Sequence, residues 1–520
     1  MKRLSSFLGG QWIAGSGPTV ALSNPTTETT IAEVCSGGYD LDAALAYGRR
    51  TGRAALAELS FAQRGELIAS MAKAIHGARE ELITLAVENG GNTRSDAKFD
   101  IDGASATLSH YAELGAKMGN HTLVADGDAI VVGRTARMAG QHVWVTRPGV
   151  AIHINAFNFP AWGLAEKAAC ALLAGMPVLS KPATATALVT HRLTEILAPL
   201  LPAGVLQLLC GSASTLLDFA RTGDVIAFTG SSGTAKALRA HRNVIDHALR
   251  LNVEADSLNA AVLAPDVELS TETGQLFVAD VARDMTQKAG QKCTAIRRVM
   301  VPAQQLDDVA AALCERLDAI VVGDPSRDDV RMGPVATANQ FTDVRAGIAR
   351  LAAATESVRG GNGELPTPRG VDNGKGFFVN AVLRSTRDAH GCTALHDHEV
   401  FGPVATLAAY DGSASDAATL VARGQGGLVA AAYSDDREWT TRFVTNAAAW
   451  NGRLFLGSAK MAALSPGPGT VLPSLIHGGP GRAGGGEELG GNRGLAFYMQ
   501  RCALEGDATV LKAIVGGGAA

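Results

Sequence analysis

Residues 225–235 read Val-Ile-Ala-Phe-Thr-Gly-Ser-Ser-Gly-Thr-Ala. Four consecutive apolar residues suit a strand buried on both faces, and Gly230 and Gly233 then turn the chain into a helical run from about Ala235. Those glycines let the backbone come close to a ligand, and Ser231 or Ser232 can cap the helix and offer a hydroxyl to phosphate. Many strand-to-helix turns use the same residues only for capping, so the meaning comes from the surroundings. Outward from this turn, the chain alternates short apolar pieces with helical runs: 149–155, a helix over 161–174, 177–180, a helix over 187–200, 205–209 and 225–228. Such alternation predicts a parallel sheet covered on both faces, with ligand phosphate or ribose groups at the carboxyl ends of the strands. A second candidate loop there is Ser180-Lys181-Pro182-Ala183-Thr184.

Farther along, a helix over 273–288 leads into Met285–Arg298, which contains Cys293. Gly290 precedes the cysteine, and Lys292, Arg297 and Arg298 make its segment cationic, which favours the nucleophilic thiolate. The plainer alternative is a small buried hydrophobe. A second α/β series continues to about Tyr433. The Gly- and Pro-rich stretch 355–376 reads as a solvent loop, and 457–494 is long enough to form a functional loop over a site. Near the amino terminus, 7–34 reads as an arm of short strands, and 67–85 as one amphipathic packing helix. Pieces 129–132 and 142–145 suggest a hairpin, 496–498 and 508–515 a β-like tail, and 516–520 disorder.

The 520 residues exceed what one hydrophobic core usually fills, so more than one domain is expected. Forty-six basic and fifty acidic residues leave a net charge of −4 without runs of one sign, which argues against a nucleic-acid partner. Seven scattered cysteines without metal-ligand spacing argue against a disulfide framework or a zinc site and suit a reducing cytosol. Neither a signal peptide nor a membrane-spanning run is expected.

Six motifs stand in order: Phe157-Asn158-Phe159-Pro160; Lys181-Pro182-Ala183; Phe228-Thr229-Gly230-Ser231; Gly290-Gln291-Lys292-Cys293; Gly323-Asp324-Pro325 with Gly333-Pro334; and Glu399-Val400-Phe401-Gly402-Pro403-Val404. With them, from about Phe7 to about Leu511, the chain resembles the NAD(P)-dependent aldehyde dehydrogenase superfamily. Two departures, Val253-Glu254-Ala255-Asp256-Ser257-Leu258-Asn259 and His477–Gly490, are similar to the branch that oxidises semialdehydes carried on coenzyme A thioesters in aerobic aromatic-ring degradation. The resemblance implies an α/β aldehyde dehydrogenase fold. Two doubly wound parallel-sheet domains, a Rossmann-like cofactor domain (1–128 and 148–256) and a catalytic domain (257–478), would be joined by a small β oligomerisation element (129–147 and 495–515) that makes a homodimer.

The same resemblance implies roles. Cys293 would attack the aldehyde, Asn158 would stabilise the oxyanion, and Glu254 would activate water to hydrolyse the thioester, a step that a coenzyme A-acylating relative does not need. Ending an apolar strand, Glu254 is expected to be desolvated and to have a raised pKa. Lys167 and Glu488 would relay protons, or be a surface lysine and a loop glutamate. Lys181, Ala183, Thr184, Gly230, Ser231, Glu399 and Phe401 would hold the dinucleotide. Thr184 stands where NAD-preferring relatives place an acidic residue, so NADP is expected, with NAD weaker. No metal is expected. A catalytically silent protein on this fold and a redox-independent cysteine thioesterase are the readings from other classes.

Overall fold

The computed structural model describes residues 2–372 and 374–516. Strands Ala151–Ile154, Val178–Lys181, Leu206–Leu208, Val225–Thr229 and Arg250–Glu254 run parallel, with helices Trp162–Ala174, Ala187–Leu197 and Ser232–Arg239 among their connections. Ala151–Ile154 lies centrally. From it the sheet builds through Val178–Lys181 and Leu206–Leu208 on one side, and through Val225–Thr229 and Arg250–Glu254 on the other. The winding reverses between Ala151–Ile154 and Val225–Thr229, and in a doubly wound sheet that switch point opens a crevice at the carboxyl ends. Antiparallel strands Ser6–Leu8 and Gln11–Ile13 extend the far edge.

In the second seven-stranded sheet Ala260–Leu263 lies between the central strand Arg298–Pro302 and Gly427–Tyr433, with Val404–Tyr410, Val382–Thr386 and Asn451–Gly457 farther out. All these pair in parallel, and Glu356–Arg359 adds an antiparallel edge. Strands such as Val225–Phe228 and Ala260–Leu263 are buried throughout, which is why they read as unbroken apolar runs. Each large aliphatic side chain so buried contributes about 1.5–3 kcal/mol.

A separate antiparallel sheet joins Val124–Val131, Met138–Thr146 and Met499–Asp507, and it leaves Ile130, Val131 and Met138 exposed. Its first strand begins before residue 129, so the expected division at 128 falls inside a strand. Three other expectations need correction. The tail over Ala508–Val515 is a helix, because Asp507 caps it by accepting the N–H groups of Thr509 and Val510; before it, 496–498 closes the short helix Asn492–Ala496 and the strand begins only at Met499. The expected helix over 67–85 is two helices, Phe61–Gly77 and Arg79–Gly90, broken at Ala78 with φ −97° and ψ 11°. The apolar spacing carries across this one-residue break, so periodicity alone hid it. Beyond Gly516 the glycine-rich end lies outside the described residues.

Candidate active site

The segment entering Cys293 is a tight turn. Lys288, Ala289 and Gly290 have φ of 54°, 51° and 69° in succession. Left-handed backbone at a non-glycine residue costs on the order of 1–3 kcal/mol and persists only where the surroundings enforce it. Here the buried Lys288 ammonium sits 4.5 Å over the Phe159 ring, with Asp96 and Asp100 nearby. A Cβ on Gly290 would lie 2.1 Å from the Gly402 carbonyl oxygen, so only glycine lets the turn rest on the 399–404 segment. Past the turn, the Asn259 amide donates to the carbonyls of Cys293 and Ala295 at 2.8 and 2.9 Å. Cys293 is thus pinned from three elements.

The cationic neighbours do not serve the thiol. Lys292 pairs with Asp284, Arg297 reaches Gly402 and Glu399, and Arg298 donates to Leu258, Leu420 and Val421. Burial, reinforced by the nearby Glu254 carboxylate, pushes the Cys293 thiol well above its usual range. The expected resting thiolate is therefore corrected to a protonated thiol. Sequence proximity brought the charges into the segment, and tertiary pairing turned them away.

Glu254 ends its strand beside Thr229, buried, in register at the carboxyl edge. Its Oε2 is 3.1 Å from His477 Nε2, and that nitrogen is 3.8 Å from Cys293 Sγ. Burial pushes the Glu254 carboxyl up, but His477 and Lys167 outweigh it and hold it down at about 2. This reverses the expected raised pKa, which considered desolvation without the ion pair. Lys167 and Glu488 do come together at this site. Lys167 Nζ lies 3.0 Å from Glu166 and 3.1 Å from Glu488, whose other oxygen accepts from Asn252 at 3.1 Å. Oxygens of Glu166, Glu254 and Glu488 lie within 4.8 Å of one another around that ammonium. Burial pushes Glu166 up to about 7 against the pull of Lys167.

Asn158 and Cys293 line the same two cavities. The small inner one is bounded by Phe99, Phe159, Trp162, Glu254 and His477. One amide N–H of Asn158 donates to the Gln291 carbonyl at 3.0 Å, fixing the side chain, and among the described residues the Cys293 backbone N–H meets no acceptor. An amide side chain and a free backbone N–H beside a nucleophile are the donors a developing oxyanion requires.

The larger cleft, about 700 Å³, opens at the switch point and runs from Cys293 past Lys181, Ala183, Thr184, Gly230, Ser231, Glu399 and Phe401. Every residue expected to hold the dinucleotide lines it. Ser231 caps the helix Ser232–Arg239, although the Ser232 N–H is already taken by Asp256. Thr229 Oγ1 is buried there without a partner among the described residues. Burial lowers the Lys181 ammonium, which forms no ion pair among the described residues. Glu399 accepts from the Ser257 N–H at 3.1 Å, and burial pushes it up to about 7 against the pull of Arg297. Phe401 packs edge-on against Phe157. A cleft of this size, with a helix start, an unpaired ammonium and an unsatisfied hydroxyl, fits a nicotinamide dinucleotide.

Residues 12–501 match the Aldehyde dehydrogenase family. The chain belongs to that family. This aldehyde dehydrogenase is 40% identical over 480 residues to 3,4-dehydroadipyl-CoA semialdehyde dehydrogenase of Aromatoleum evansii, covering 92% of the chain and 93% of the relative. It is 27% identical to succinate-semialdehyde dehydrogenase [NADP(+)] 1 of Mycobacterium ulcerans, covering 91% and 96%. In fold it is similar to a solved 3,6-anhydro-L-galactose dehydrogenase (TM-score 0.85, 23% identity, 97% and 100% covered) and to betaine aldehyde dehydrogenase of Staphylococcus aureus (TM-score 0.84, 22%, 97% and 96%). No helix of this aldehyde dehydrogenase, among the described residues, is long and apolar enough to cross a membrane.

Sequence reasoning missed four side chains at the site of this aldehyde dehydrogenase: His477, Glu166, Asn252 and Asn259. The first stands in the Gly-rich stretch already singled out as a loop over a site, and a lone imidazole there was the available signal. Glu166 and Asn252 carried none, since a glutamate in a helix and an asparagine in a strand are read as solvent-facing until the packing is known.

Proposed function

We propose that this aldehyde dehydrogenase carries out the NADP-dependent, non-acylating oxidation of a coenzyme A-linked aliphatic semialdehyde to its carboxylate, with 3,4-dehydroadipyl-CoA semialdehyde as the first candidate. The observation that carries the proposal is the buried Glu254 carboxylate beside Cys293, since a base in that place serves hydrolysis rather than transfer to free coenzyme A. Similarity to the Aromatoleum relative supports the substrate class. Thr184, in place of an acidic residue, beside Lys181 supports NADP.

In this reading Cys293 Sγ gives its proton to Glu254 and bonds to the aldehyde carbon, while the carbonyl electron pair moves to oxygen, held by Asn158 and the Cys293 N–H. A bound nicotinamide dinucleotide supplies the hydride acceptor, held by Lys181, Ala183, Thr184, Gly230, Ser231, Glu399 and Phe401. Lys167 and Glu488 carry the thiol proton from Glu254 outward, so the carboxylate is free again. Glu254 then takes a proton from water, which attacks the Cys293 thioester, and hands that proton to the departing sulfur, so that the carboxylic acid and the thiol are released. The three-stranded sheet, with Ile130, Val131 and Met138 exposed, supports a homodimer through 124–146 and 499–507, with the cofactor part over 1–123 and 148–256 and the catalytic part over 257–478. Free cysteines throughout agree with a cytoplasmic setting.

The test is product analysis with NADP and a panel of free and coenzyme A-linked semialdehydes. The expected result is one NADPH per carboxylate formed, with the coenzyme A thioester of the substrate intact. A product that consumes free coenzyme A, or turnover without nicotinamide, would overturn the proposal.

A further inference from the structure

His477 stands opposite Glu488 in the antiparallel hairpin of Ile476–Gly479 with Gly486–Leu489, and it is fully enclosed. Its Nδ1 is buried without a partner among the described residues, whereas its Nε2 faces Glu254 Oε2 at 3.1 Å and Cys293 Sγ at 3.8 Å. A ring proton on Nδ1 would have no acceptor, so the proton common to either charge state belongs on Nε2. Of the two Glu254 oxygens, Oε2 is therefore engaged by the imidazole, and Oε1 is buried with no partner among the described residues. That leaves one oxygen anchored and the other with its lone pairs open.

We propose that His477 is the positioning residue of the general base: by donating Nε2–H to Glu254 Oε2 it aims Oε1 at the Cys293 thiol and, later, at the hydrolytic water. This rests on the dehydrogenase reading above. The proton taken from Sγ resides on Oε1 and leaves outward before the one taken from water arrives there, and the His477 N–H remains on Oε2 throughout. The charged and titratable groups around the pair are Glu166 and Lys167 on the helix Trp162–Ala174, Glu488 on the hairpin, Arg453 on the strand Asn451–Gly457, and Cys293 itself. Burial opposes a charged imidazole, but Glu254 outweighs it and raises His477, so the anchor is also a counter-charge.

The experiment compares His477→Phe and His477→Gln in the full-length enzyme. In His477→Phe, kcat/KM is expected to fall about tenfold or more, and its acid limb to move up by about one pH unit as Glu254 loses the counter-charge. His477→Gln places an amide donor near the same point and recovers most of the rate, with the acid limb still displaced. NADP affinity stays unchanged in both, because His477 does not line the large cleft. A wild-type rate and pH profile in His477→Phe would overturn the proposal, as would a glutamine variant as impaired as the phenylalanine one. Iodoacetamide alkylation of Cys293 needs no substrate. It is expected to slow in His477→Phe, and equal rates would overturn the role of His477 even if the wild type oxidised no aldehyde, the outcome that sinks the dehydrogenase reading instead.

Discussion

Lys292 Nζ lies 2.7 Å from Asp284 Oδ1, with both side chains about 1% exposed. The cation next to Cys293 in sequence thus belongs to a structural ion pair, completed by Gln287 at 2.8 Å. Asp284→Ala would leave a buried ammonium with one neutral partner, and removing one member of a buried pair costs about 3–5 kcal/mol. The expected outcome is a clear drop in thermal midpoint, measured by circular dichroism. A midpoint within a degree of wild type would contradict the pairing.

Gly290 meets the 399–404 segment too closely for any side chain. With a Cβ placed 2.1 Å from the Gly402 oxygen, Gly290→Ala must shift the turn that delivers Cys293. Activity is expected to be lost almost entirely while secondary structure persists. Comparison of turnover with far-ultraviolet spectra of the same sample decides this.

Glu254→Gln keeps the shape of the side chain and removes the proposed base. Turnover is expected to fall by about 100- to 10,000-fold. Cys293→Ser should be still more impaired yet retain cofactor affinity, which titration of cofactor fluorescence would report.

The Cys293 thiol, pushed well above its ordinary range, holds its proton through neutrality. A raised pKa means that the thiolate fraction climbs only as pH rises past that ordinary range. Alkylation should accordingly be slow near pH 7 and accelerate through alkaline pH, with no plateau near neutrality. Stopped samples analysed by peptide mass would reveal the profile, and a plateau below pH 8 would refute a protonated resting state.

Thr184→Glu would place a carboxylate beside the proposed ribose end of the cleft. NADP is expected to lose about tenfold or more in kcat/KM relative to NAD, through charge repulsion of the 2′-phosphate. An unchanged ratio would remove Thr184 from cofactor selection.

By itself the sequence determined the strand and helix alternation from Ala151 to Glu254 and the switch-point turn at Gly230 and Ser231, and it singled out Cys293, Glu254 and Asn158, which the fold brings to one site. Parallel strands covered on both faces are mostly apolar, and the turns that follow them favour small residues, so these features are written locally. The charge state of the site was decided only by tertiary structure. Whether Lys292 faces Cys293 or Asp284, and whether Glu254 is merely desolvated or paired with His477 and Lys167, depends on side chains separated by up to 223 positions in the chain. Electrostatic energies are set by distance and burial in space, and neither is recorded in the order of residues.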